Sequence, residues 1–470
     1  MRLMEIRNIL GKRPVFYCFL FIFMMYLLPT FVQVEFSNDL RIKGFYLGLP
    51  GVLSGDEPHY MVTTTSLVND GDIYVDNNYD NAYFYGGCDV SYHFVNNTNS
   101  MIGRHIEFYD PVKNTVTAKR EYPGYNSSAG PHIGDYDATG IRQVSNRAIG
   151  LPVFSSIFIW PFRDTCLIEP ASIYLGLIVA FIGIIFFYLT CLHYAKRYKS
   201  KNSQNIALMF TVIFAIATQY WYYSKSYFTE MYIASFLIIA YYLFFIRKDN
   251  LLPGLLLATA FSMKYPIGMY LALFGITLLP RLKWKRIIYF TLGSALPIVG
   301  VFYHNWFLTG AILGFRKITT IFFGNYVYGI FVWLFSPSFG LIPFAPFFLF
   351  IFPGLWVLYK KDKKTLTNLS LMIFPLFFFW TSYPDTQIVG AAGYSARYLI
   401  PLISFFVLLT MIWYINNRSR LLRIIFLILV AIAFLINIQS AFLYFLYWGT
   451  PPWAAIVKFI SSWHRITFLV

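Results

Sequence analysis

The sequence predicts an all-α polytopic membrane protein, a bundle of about eleven transmembrane helices with a large first extracytoplasmic loop. Composition gives the first indication. Hydrophobic residues make up 58% of the 470 residues and charged residues only 12%, whereas soluble domains have about 25% charged residues. Apolar segments of about 20 residues, the length that a helix needs to cross a bilayer, then recur along the chain.

Eleven apolar segments are predicted to be spans. The first follows a basic N-terminus and lacks the small-residue cleavage site of a signal peptide, so we expect it to remain as an anchor. The spans 251–264 and 265–280 are short and suit tilted or re-entrant helices. The predicted spans are residues 14–34, 171–192, 205–223, 228–246, 251–264, 265–280, 287–307, 340–359, 366–381, 398–415 and 424–446.

The net charge of +16 would indicate a nucleic-acid partner in a soluble protein. Here more than half of the 37 lysines and arginines form clusters on one side of the predicted membrane, as the positive-inside rule requires. The basicity therefore marks the cytoplasmic face, the N-terminus is predicted to lie there, and no nucleic acid is expected. The clusters lie within residues 2–13, 196–201, 247–248, 281–286, 360–364 and 418–423.

The predicted topology divides the chain into four parts. Most acidic residues fall in the first outer loop, where we expect short helices on the membrane surface and a dip of 150–162 into the bilayer edge. Cys88 and Cys166 both lie in this loop, and their spacing leaves open whether they form a disulfide. Further outer loops are predicted at 308–339 and 382–397. The four parts are the cytoplasmic N-terminus with the first helix (1–34), the extracytoplasmic loop (35–170), the transmembrane bundle (171–446) and an extracytoplasmic interfacial tail (447–470).

The first candidate for chemistry is the acidic segment at residues 54–60, about 20 residues after the first span. Ser54 and Glu57 suit a helix capping box, which would explain the segment structurally. A cap does not need two adjacent carboxylates followed by His59 and Tyr60, however. A carboxylate held beside the membrane could act as a general base toward an acceptor hydroxyl, and Asp56 and Glu57 are the candidates.

Further candidates lie where predicted spans meet the outer face. Glu230 enters the head of a span, where a charge indicates either a functional pair or a favourable interaction with the helix N-terminus. Arg397, followed by Tyr398, suits a lipid phosphate, although an arginine reaching to generic headgroups would look the same. Lys225 and Lys264 are close enough to the outer side to assist with a phosphate.

Motifs for other chemistry are weak. The acidic run from Asp70 to Asp80 raises the possibility of calcium, but it lacks the EF-hand spacing and a solvated turn explains it as well. The sequence identifies no cofactor and leaves a divalent metal ion open. It contains no Walker loop, zinc-ligand spacing or nucleophile elbow, which argues against an ATP-driven pump and a serine hydrolase.

Several short motifs, taken in order, resemble bacterial polytopic glycosyltransferases of the GT-C superfamily, of the dolichyl-phosphate-mannose mannosyltransferase type. The resemblance extends from about residue 14 to residue 415. One departure is the sequence Arg147-Ala148-Ile149 where relatives tend to have a histidine motif. The matching segments are residues 55–60, 66–72, 77–79, 150–152, 227–231, 339–341, 345–346, 353–355 and 397–402.

This resemblance implies a GT-C-like bundle that transfers a hexose or pentose from a polyprenyl-phosphate donor to a lipid, glycan or protein acceptor, with inversion, at the outer face of a bacterial plasma membrane. Asp56 would be the base, with Glu57 beside it, and Glu230 matches the second acidic position. Arg397 and Tyr398 match the Arg-Tyr pair before a late helix. The alternative is a transporter or flippase of a lipid-linked saccharide. The residues expected to bind the substrates are His59, Tyr60, Lys225, Lys264, Arg397 and Tyr398.

Overall fold

Helices make up most of the chain that the structure, a computed structural model, describes. The longest described segments are 11–34, 57–75, 148–163, 167–279, 284–309, 326–382 and 395–442. Shorter described pieces are residues 45–46, 49–50, 84–85, 88–89, 106–110, 115–118, 142–145, 165, 312, 451–454, 457 and 466–468.

Each of the eleven predicted spans contains at least one helix, so the predicted fold class is confirmed. Several helices continue into a 3₁₀ or π turn, as α7 does over Tyr242–Arg247. The helices are α1 (Arg13–Leu27), α2 (Glu57–Thr65), α3 (Gly150–Ile159), α4 (Ile168–Arg197), α5 (Ser203–Ile216), α6 (Tyr220–Ser224), α7 (Thr229–Tyr241), α8 (Leu251–Met263), α9 (Gly268–Leu278), α10 (Trp284–Thr309), α11 (Tyr326–Phe335), α12 (Leu341–Phe344), α13 (Ile351–Lys361), α14 (Lys363–Thr381), α15 (Ile403–Asn416) and α16 (Arg420–Phe442).

Within the described residues, six helical segments are long and apolar enough to cross a membrane, and the chain is a multi-pass membrane protein. The segments that contain α7 and α15 are buried in the centre of the bundle, whereas α10 and α16 expose most of their apolar surface. Apolar residues all around a helix are typical of such positions, because the outer surface faces lipid. The number of crossings, eleven, stays a prediction. The six segments are Arg13–Thr30, Ile168–Arg197, Thr229–Arg247, Trp284–Leu308, Arg397–Asn416 and Arg420–Phe442.

The described parts of the first outer loop also contain short strands, where only helices were expected. All the described pairings are antiparallel, and the largest sheet has the order β7-β6-β8. One pair joins β1 to β9 with Val32 opposite Phe468, which brings the C-terminal tail back to the end of the first helix. The strands are β1 (Val32–Val34), β2 (Phe45–Tyr46), β3 (Leu49–Pro50), β4 (Phe84–Tyr85), β5 (Cys88–Asp89), β6 (Ile106–Asp110), β7 (Thr115–Ala118), β8 (Arg142–Ser145) and β9 (Ile466–Phe468).

Helix α11 lies inside the segment 308–339, which the sequence predicted to be an outer loop. Its ten residues are almost entirely apolar but are too few for a span, so a search for spans misses it. Gly329 allows α11 to touch α14, because a Cβ at this position would lie 2.0 Å from the Thr381 carbonyl oxygen.

Close helix contacts and buried hydrogen bonds hold the bundle together. Helices α8 and α10 meet at glycines, since a Cβ on Gly254 would lie 2.3 Å from the Phe290 carbonyl oxygen. The buried Asn437 of α16 donates to the carbonyl of Phe344 at 3.0 Å and to that of Ala217 at 3.4 Å. In a membrane, burial of apolar surface does not drive helices together, because the lipid is as apolar as the helix surface. Close packing at small residues and interhelical hydrogen bonds hold the helices together instead.

Polar contacts gather several basic clusters at one end of the bundle. Arg197, at the end of α4, forms an ion pair of 2.8 Å with Asp362 between α13 and α14. Lys361, at the end of α13, donates to Asn416 at the end of α15. The same end holds the predicted cytoplasmic loops, in agreement with the charge pattern of the sequence.

Asp362 caps α14, where its side chain accepts from the Thr365 N–H at 3.1 Å and from the Thr365 hydroxyl at 2.8 Å. Asp362→Ala should lower the free energy of unfolding by about 1 kcal/mol at neutral pH, because it removes this cap. The ion pair adds little, since Arg197 is 40% exposed and such pairs are screened by solvent. Asp362→Asn, which keeps an oxygen acceptor, should lose less. Unfolding midpoints of both variants in detergent test this.

The effect should also depend on pH. Burial opposes ionisation of Asp362, but the hydrogen bonds from Thr365 and the charge of Arg197 hold its pKa below the usual value. A carboxylate of this kind stabilises the fold above its unfolded pKa of about 3.9 and loses that contribution as the pH falls through its folded pKa. The difference between wild type and Asp362→Ala should therefore shrink below about pH 4. A difference that stays constant into the acid range would contradict this account.

Candidate active site

The candidate site lies where three stretches of chain depart from regular helix. Glu230 is the second residue of α7, after the extended residue Phe228. Lys264 follows α8 in an extended conformation, before the 3₁₀ turn Tyr265–Ile267. Arg397 opens the 3₁₀ turn Arg397–Leu402 that leads into α15. The basic cluster 247–248 lies between the end of α7 and the start of α8. The start of α7 and the end of α8, and with them the candidate site, therefore lie at the opposite end of the bundle.

A buried carboxylate joins the three stretches. The Oε1 atom of Glu230 lies 2.6 Å from Lys264 Nζ and 3.2 Å from Arg397 Nε. Only 2% of the Glu230 side chain is exposed, compared with 7% for Arg397 and 20% for Lys264. Thr229 donates to the other carboxylate oxygen at 3.3 Å. Two cations thus share one anion, and the more exposed cation is the lysine.

Aromatic rings hold the two cations from the sides. The ammonium nitrogen of Lys264 lies 3.9 Å from the centre of the Tyr398 ring, and that ring stacks on Trp380 at 4.3 Å. The Arg397 guanidinium lies 4.7 Å from the Phe228 ring and donates to the Tyr398 hydroxyl at 2.9 Å. Cation–π contacts of this kind are strongest where water is excluded. The rings therefore fix both cations without adding a competing negative charge.

The backbone before Arg397 is strained. Ser395 has a φ of 56°, a left-handed conformation that a residue with a side chain rarely adopts. Gln219 donates to the Ser395 hydroxyl at 3.3 Å, and the Arg397 N–H donates to the Ser395 carbonyl at 2.8 Å. These bonds hold the turn that directs Arg397 toward Glu230.

Glu57 is fully buried and belongs to α2, a helix of the segment predicted to be the first outer loop. Its carboxylate accepts from the Tyr227 N–H at 2.6 Å, and the Tyr227 hydroxyl lies 2.8 Å from that of Thr64. Tyr227 lies three residues before Glu230, so these bonds attach the outer loop to the start of α7. His59 and Tyr60 are also buried on α2. Asp56 lies outside the described residues.

Lys225 contacts the end of α16. Its ammonium group donates to the Ala441 carbonyl near the end of α16. Burial lowers the pKa of Lys225 to about 7, and the nearby Glu57 carboxylate opposes this shift.

Other predicted ligands find local partners or lie outside the described chain. Asp72 accepts from the Ser66 hydroxyl and from the Tyr74 N–H, each at 2.9 Å, which fits the alternative of a solvated turn. Among the residues that the structure describes, no three His, Cys, Asp or Glu side chains are grouped as a metal site would need. Cys166 and the side chain of Cys88 are outside the described residues.

Gly150 connects the outer loop to the residues just before Lys264. A Cβ on Gly150 would lie 2.3 Å from the Ser262 carbonyl carbon and 2.5 Å from the Met263 nitrogen. Only glycine permits this approach of α3 to the end of α8. The sequence Gly150-Leu151-Pro152 is therefore part of the framework that positions Lys264.

Four residues of the site's surroundings were missed by sequence reasoning: Phe228, Trp380, Gln219 and Ser395. Phe228 and Trp380 are two among many aromatic residues, 21% of the chain, so their type gave no signal. Gln219 is a polar residue inside the predicted span 205–223. A polar residue within an apolar span could have indicated a role in the site.

Together, the order and packing of the helices define a polytopic membrane protein with a GT-C-like fold. The structure is similar to the crystal structure of ArnT from Cupriavidus metallidurans in the apo state, ArnT being a GT-C family glycosyltransferase. The TM-score is 0.51, and the match covers 92% of this chain and 65% of that chain at 11% sequence identity. The chain thus spans slightly less than two thirds of ArnT. Neither protein-family models nor curated proteins match it.

Gly150→Ala should displace α3 from the end of α8, because a methyl group has no room beside the Ser262 carbonyl carbon. We expect a loss of about 1–3 kcal/mol in the free energy of unfolding. Gly275→Ala is the matched control, since a Cβ there meets nothing within 4 Å, and alanine in helix α9 should be neutral or stabilising. Unfolding midpoints of the two variants should separate; equal midpoints would refute the close contact.

Glu230→Gln should lower the free energy of unfolding by about 3 kcal/mol, because it leaves two buried cations without their shared anion. Adding Lys264→Met removes one of those cations, so the double variant should lose less than the sum of the single losses. Thr229→Val, which removes only a 3.3 Å hydrogen bond to the same carboxylate, is the control for a local packing change. Additive losses in the double-mutant cycle would show that the ion pair is not the stabilising interaction.

Proposed function

We propose that this protein is a membrane glycosyltransferase that moves a sugar from a polyprenyl-phosphate donor to an acceptor at the extracytoplasmic face. The observation that carries the proposal is the pair of cations, Lys264 and Arg397, at the end of the bundle opposite to the basic clusters. The GT-C fold supports the reaction class.

The cation pair suits a phosphate that becomes a leaving group. Lys264 donates to Glu230 at 2.6 Å and Arg397 donates to the Tyr398 hydroxyl at 2.9 Å, so both cations are held in place before a phosphate binds. Guanidinium and ammonium groups bind phosphate oxygens strongly. As the bond between the sugar and the phosphate breaks, negative charge grows on the phosphate, so preorganised cations lower the barrier.

In the proposed reaction, Asp56 takes the proton of an acceptor hydroxyl as that oxygen attacks the anomeric carbon of the sugar. The bond from this carbon to the phosphate oxygen breaks, and the electron pair leaves with the polyprenyl phosphate. Attack from the face opposite to the phosphate inverts the configuration. Asp56 directly precedes Glu57, whose bond to Tyr227 attaches this part of the outer loop to the start of α7.

We infer different roles for the other two carboxylates. Glu230 is already paired with two cations, so it is better suited to position Lys264 and Arg397 than to accept a proton. Glu57 is buried against the Tyr227 N–H, which suits a residue that positions Asp56. His59 and Tyr60 on the same helix, and Tyr398 beside both cations, complete the proposed substrate-binding set, with Lys225 as a further candidate near Glu57.

Asp56→Asn should lower sugar transfer by at least about 100-fold while the unfolding midpoint stays unchanged, because the amide cannot accept the proton. Purified protein in nanodiscs, radiolabelled polyprenyl-phosphate sugars and extracts of envelope lipids and glycans as acceptors provide the assay. Lys264→Gln should lower the rate by about 100-fold through loss of leaving-group stabilisation. Asp249→Asn is the control, because this residue lies at the opposite end of α8, where it accepts from the Leu251 N–H.

Full activity of Asp56→Asn would refute the assignment of the base. Movement of the labelled lipid across the bilayer without cleavage of its sugar would instead identify a transporter or flippase. The same purified protein, reconstituted in sealed vesicles instead of nanodiscs, distinguishes these outcomes, since the vesicles report both the position of the label and its chemical form.

A further inference from the structure

Three basic stretches meet at the end of the bundle opposite to the candidate site. Arg197, at the end of α4, lies 2.8 Å from Asp362 between α13 and α14, and Tyr198 donates to the same carboxylate at 3.1 Å. Lys361 donates to Asn416 at 2.9 Å and so adds the end of α15. The three stretches, together termed the basic surface, are residues 196–201, 360–364 and 416–423.

The basic surface keeps almost all of its positive charge. It contains eleven lysines and arginines and a single acidic residue, Asp362. In the part of the chain that the structure describes, Asp362 is also the only carboxylate that pairs with it. Other contacts are with neutral groups, since Lys361 donates to a side-chain amide and Arg423 to the Asn417 carbonyl. Neutral acceptors do not cancel the charge of a cation, so this surface attracts anions.

An exposed aromatic stripe on α13 leads up to the basic surface. Phe352, Trp356 and Tyr359 are exposed at 52%, 61% and 53%, and their spacing of four and three residues places them on one face of the helix. Lys360 continues this face. The Trp356 and Tyr359 rings stack at 5.8 Å between centres, and the Lys360 ammonium nitrogen lies 4.7 Å from the centre of the Trp356 ring. An apolar face and a cationic end are thus directly joined.

This combination favours an anionic lipid over a soluble polyanion. In a membrane protein, the exposed apolar side chains of a span contact acyl chains, and tryptophan and tyrosine lie at the level of the headgroups. Lysines beside such rings extend outward to the headgroups. A nucleic acid or an acidic protein would meet the charges and leave the aromatic stripe uncovered, whereas a lipid with a negative headgroup contacts both.

We propose that the basic surface and the aromatic stripe of α13 bind an anionic phospholipid. Its phosphate lies at Lys360 and the lysines that begin α14, and an acyl chain lies along Trp356 and Phe352. The proposal is independent of the function proposed above, because it concerns the other end of the bundle and needs no sugar transfer. It makes affinity depend on headgroup charge, since each lysine near an anionic lipid surface contributes about fivefold.

Binding of phosphatidylglycerol and of phosphatidylcholine with the same acyl chains, measured by native mass spectrometry of the purified full-length protein, tests the proposal. The variant Lys360→Gln/Lys364→Gln removes two exposed charges from the basic surface. The matched control is Lys12→Gln/Lys285→Gln, which removes two exposed charges from the basic clusters before α1 and at the start of α10. The pair separates this surface from the net charge of the chain.

We expect wild type to prefer phosphatidylglycerol over phosphatidylcholine by at least about tenfold. The surface variant should lose most of this preference, with an unchanged unfolding midpoint, and the control should keep it. Equal losses in the two variants would show that net charge accounts for the preference and would overturn the proposal. So would a preference that persists in the surface variant.

Trp356→Leu distinguishes a lipid from a soluble polyanion, because it removes the ring beside Lys360 and leaves every charge in place. Phosphatidylglycerol binding should weaken about threefold, the size of an exposed cation–π contact. Trp284→Leu on α10, where the side chain is 63% exposed, is the matched control and should bind like wild type. Unchanged lipid binding by Trp356→Leu would overturn the lipid assignment, as would displacement of the lipid by a heparin oligosaccharide that binds more tightly.

Discussion

The ion pairs of Glu230 with Lys264 and Arg397 connect the parts of the bundle that are far apart in sequence. A carboxylate with only 2% of its side chain exposed is costly to bury unless cations and hydrogen bonds compensate for the lost hydration. Regular helices would carry the two cations away from it, so the chain leaves α-helical geometry at Lys264 and again before Arg397. The irregular backbone at both positions therefore follows from the need to partner one buried charge.

Buried hydroxyl groups elsewhere in the central bundle also need hydrogen-bond partners. Tyr220 lies within the core, and its hydroxyl is 2.7 Å from that of Ser235 and 3.1 Å from the Ala180 carbonyl oxygen. Tyr26 likewise donates to the Ala215 carbonyl at 2.8 Å and attaches α1 to the end of α5. Buried hydroxyl groups need such partners, and because the partners belong to other helices, the bonds also fix how the helices pack.

Much of the site could be predicted from residue type and position along the chain. Glu230 was singled out because a charge in the head of an apolar span is unusual. Arg397 was singled out because a guanidinium suits a phosphate, and Lys264 because it is predicted to lie near the outer side. The sequence did not indicate that the two cations share one carboxylate oxygen. It also could not separate Lys225 from them, because the direction of its side chain toward the Ala441 carbonyl depends on where α16 ends. Trp380 was missed because its stacking on Tyr398 joins residues from different helices.

By itself, the sequence determined the membrane class, the order of the predicted spans and the grouping of several basic clusters at one end of the bundle. These features depend on apolar length and charge, which are local properties of the chain. The tertiary structure alone decided which charges meet and that Gly150 approaches the end of α8. These depend on contacts between residues distant in sequence, where differences of an ångström decide whether an ion pair or a close helix contact forms.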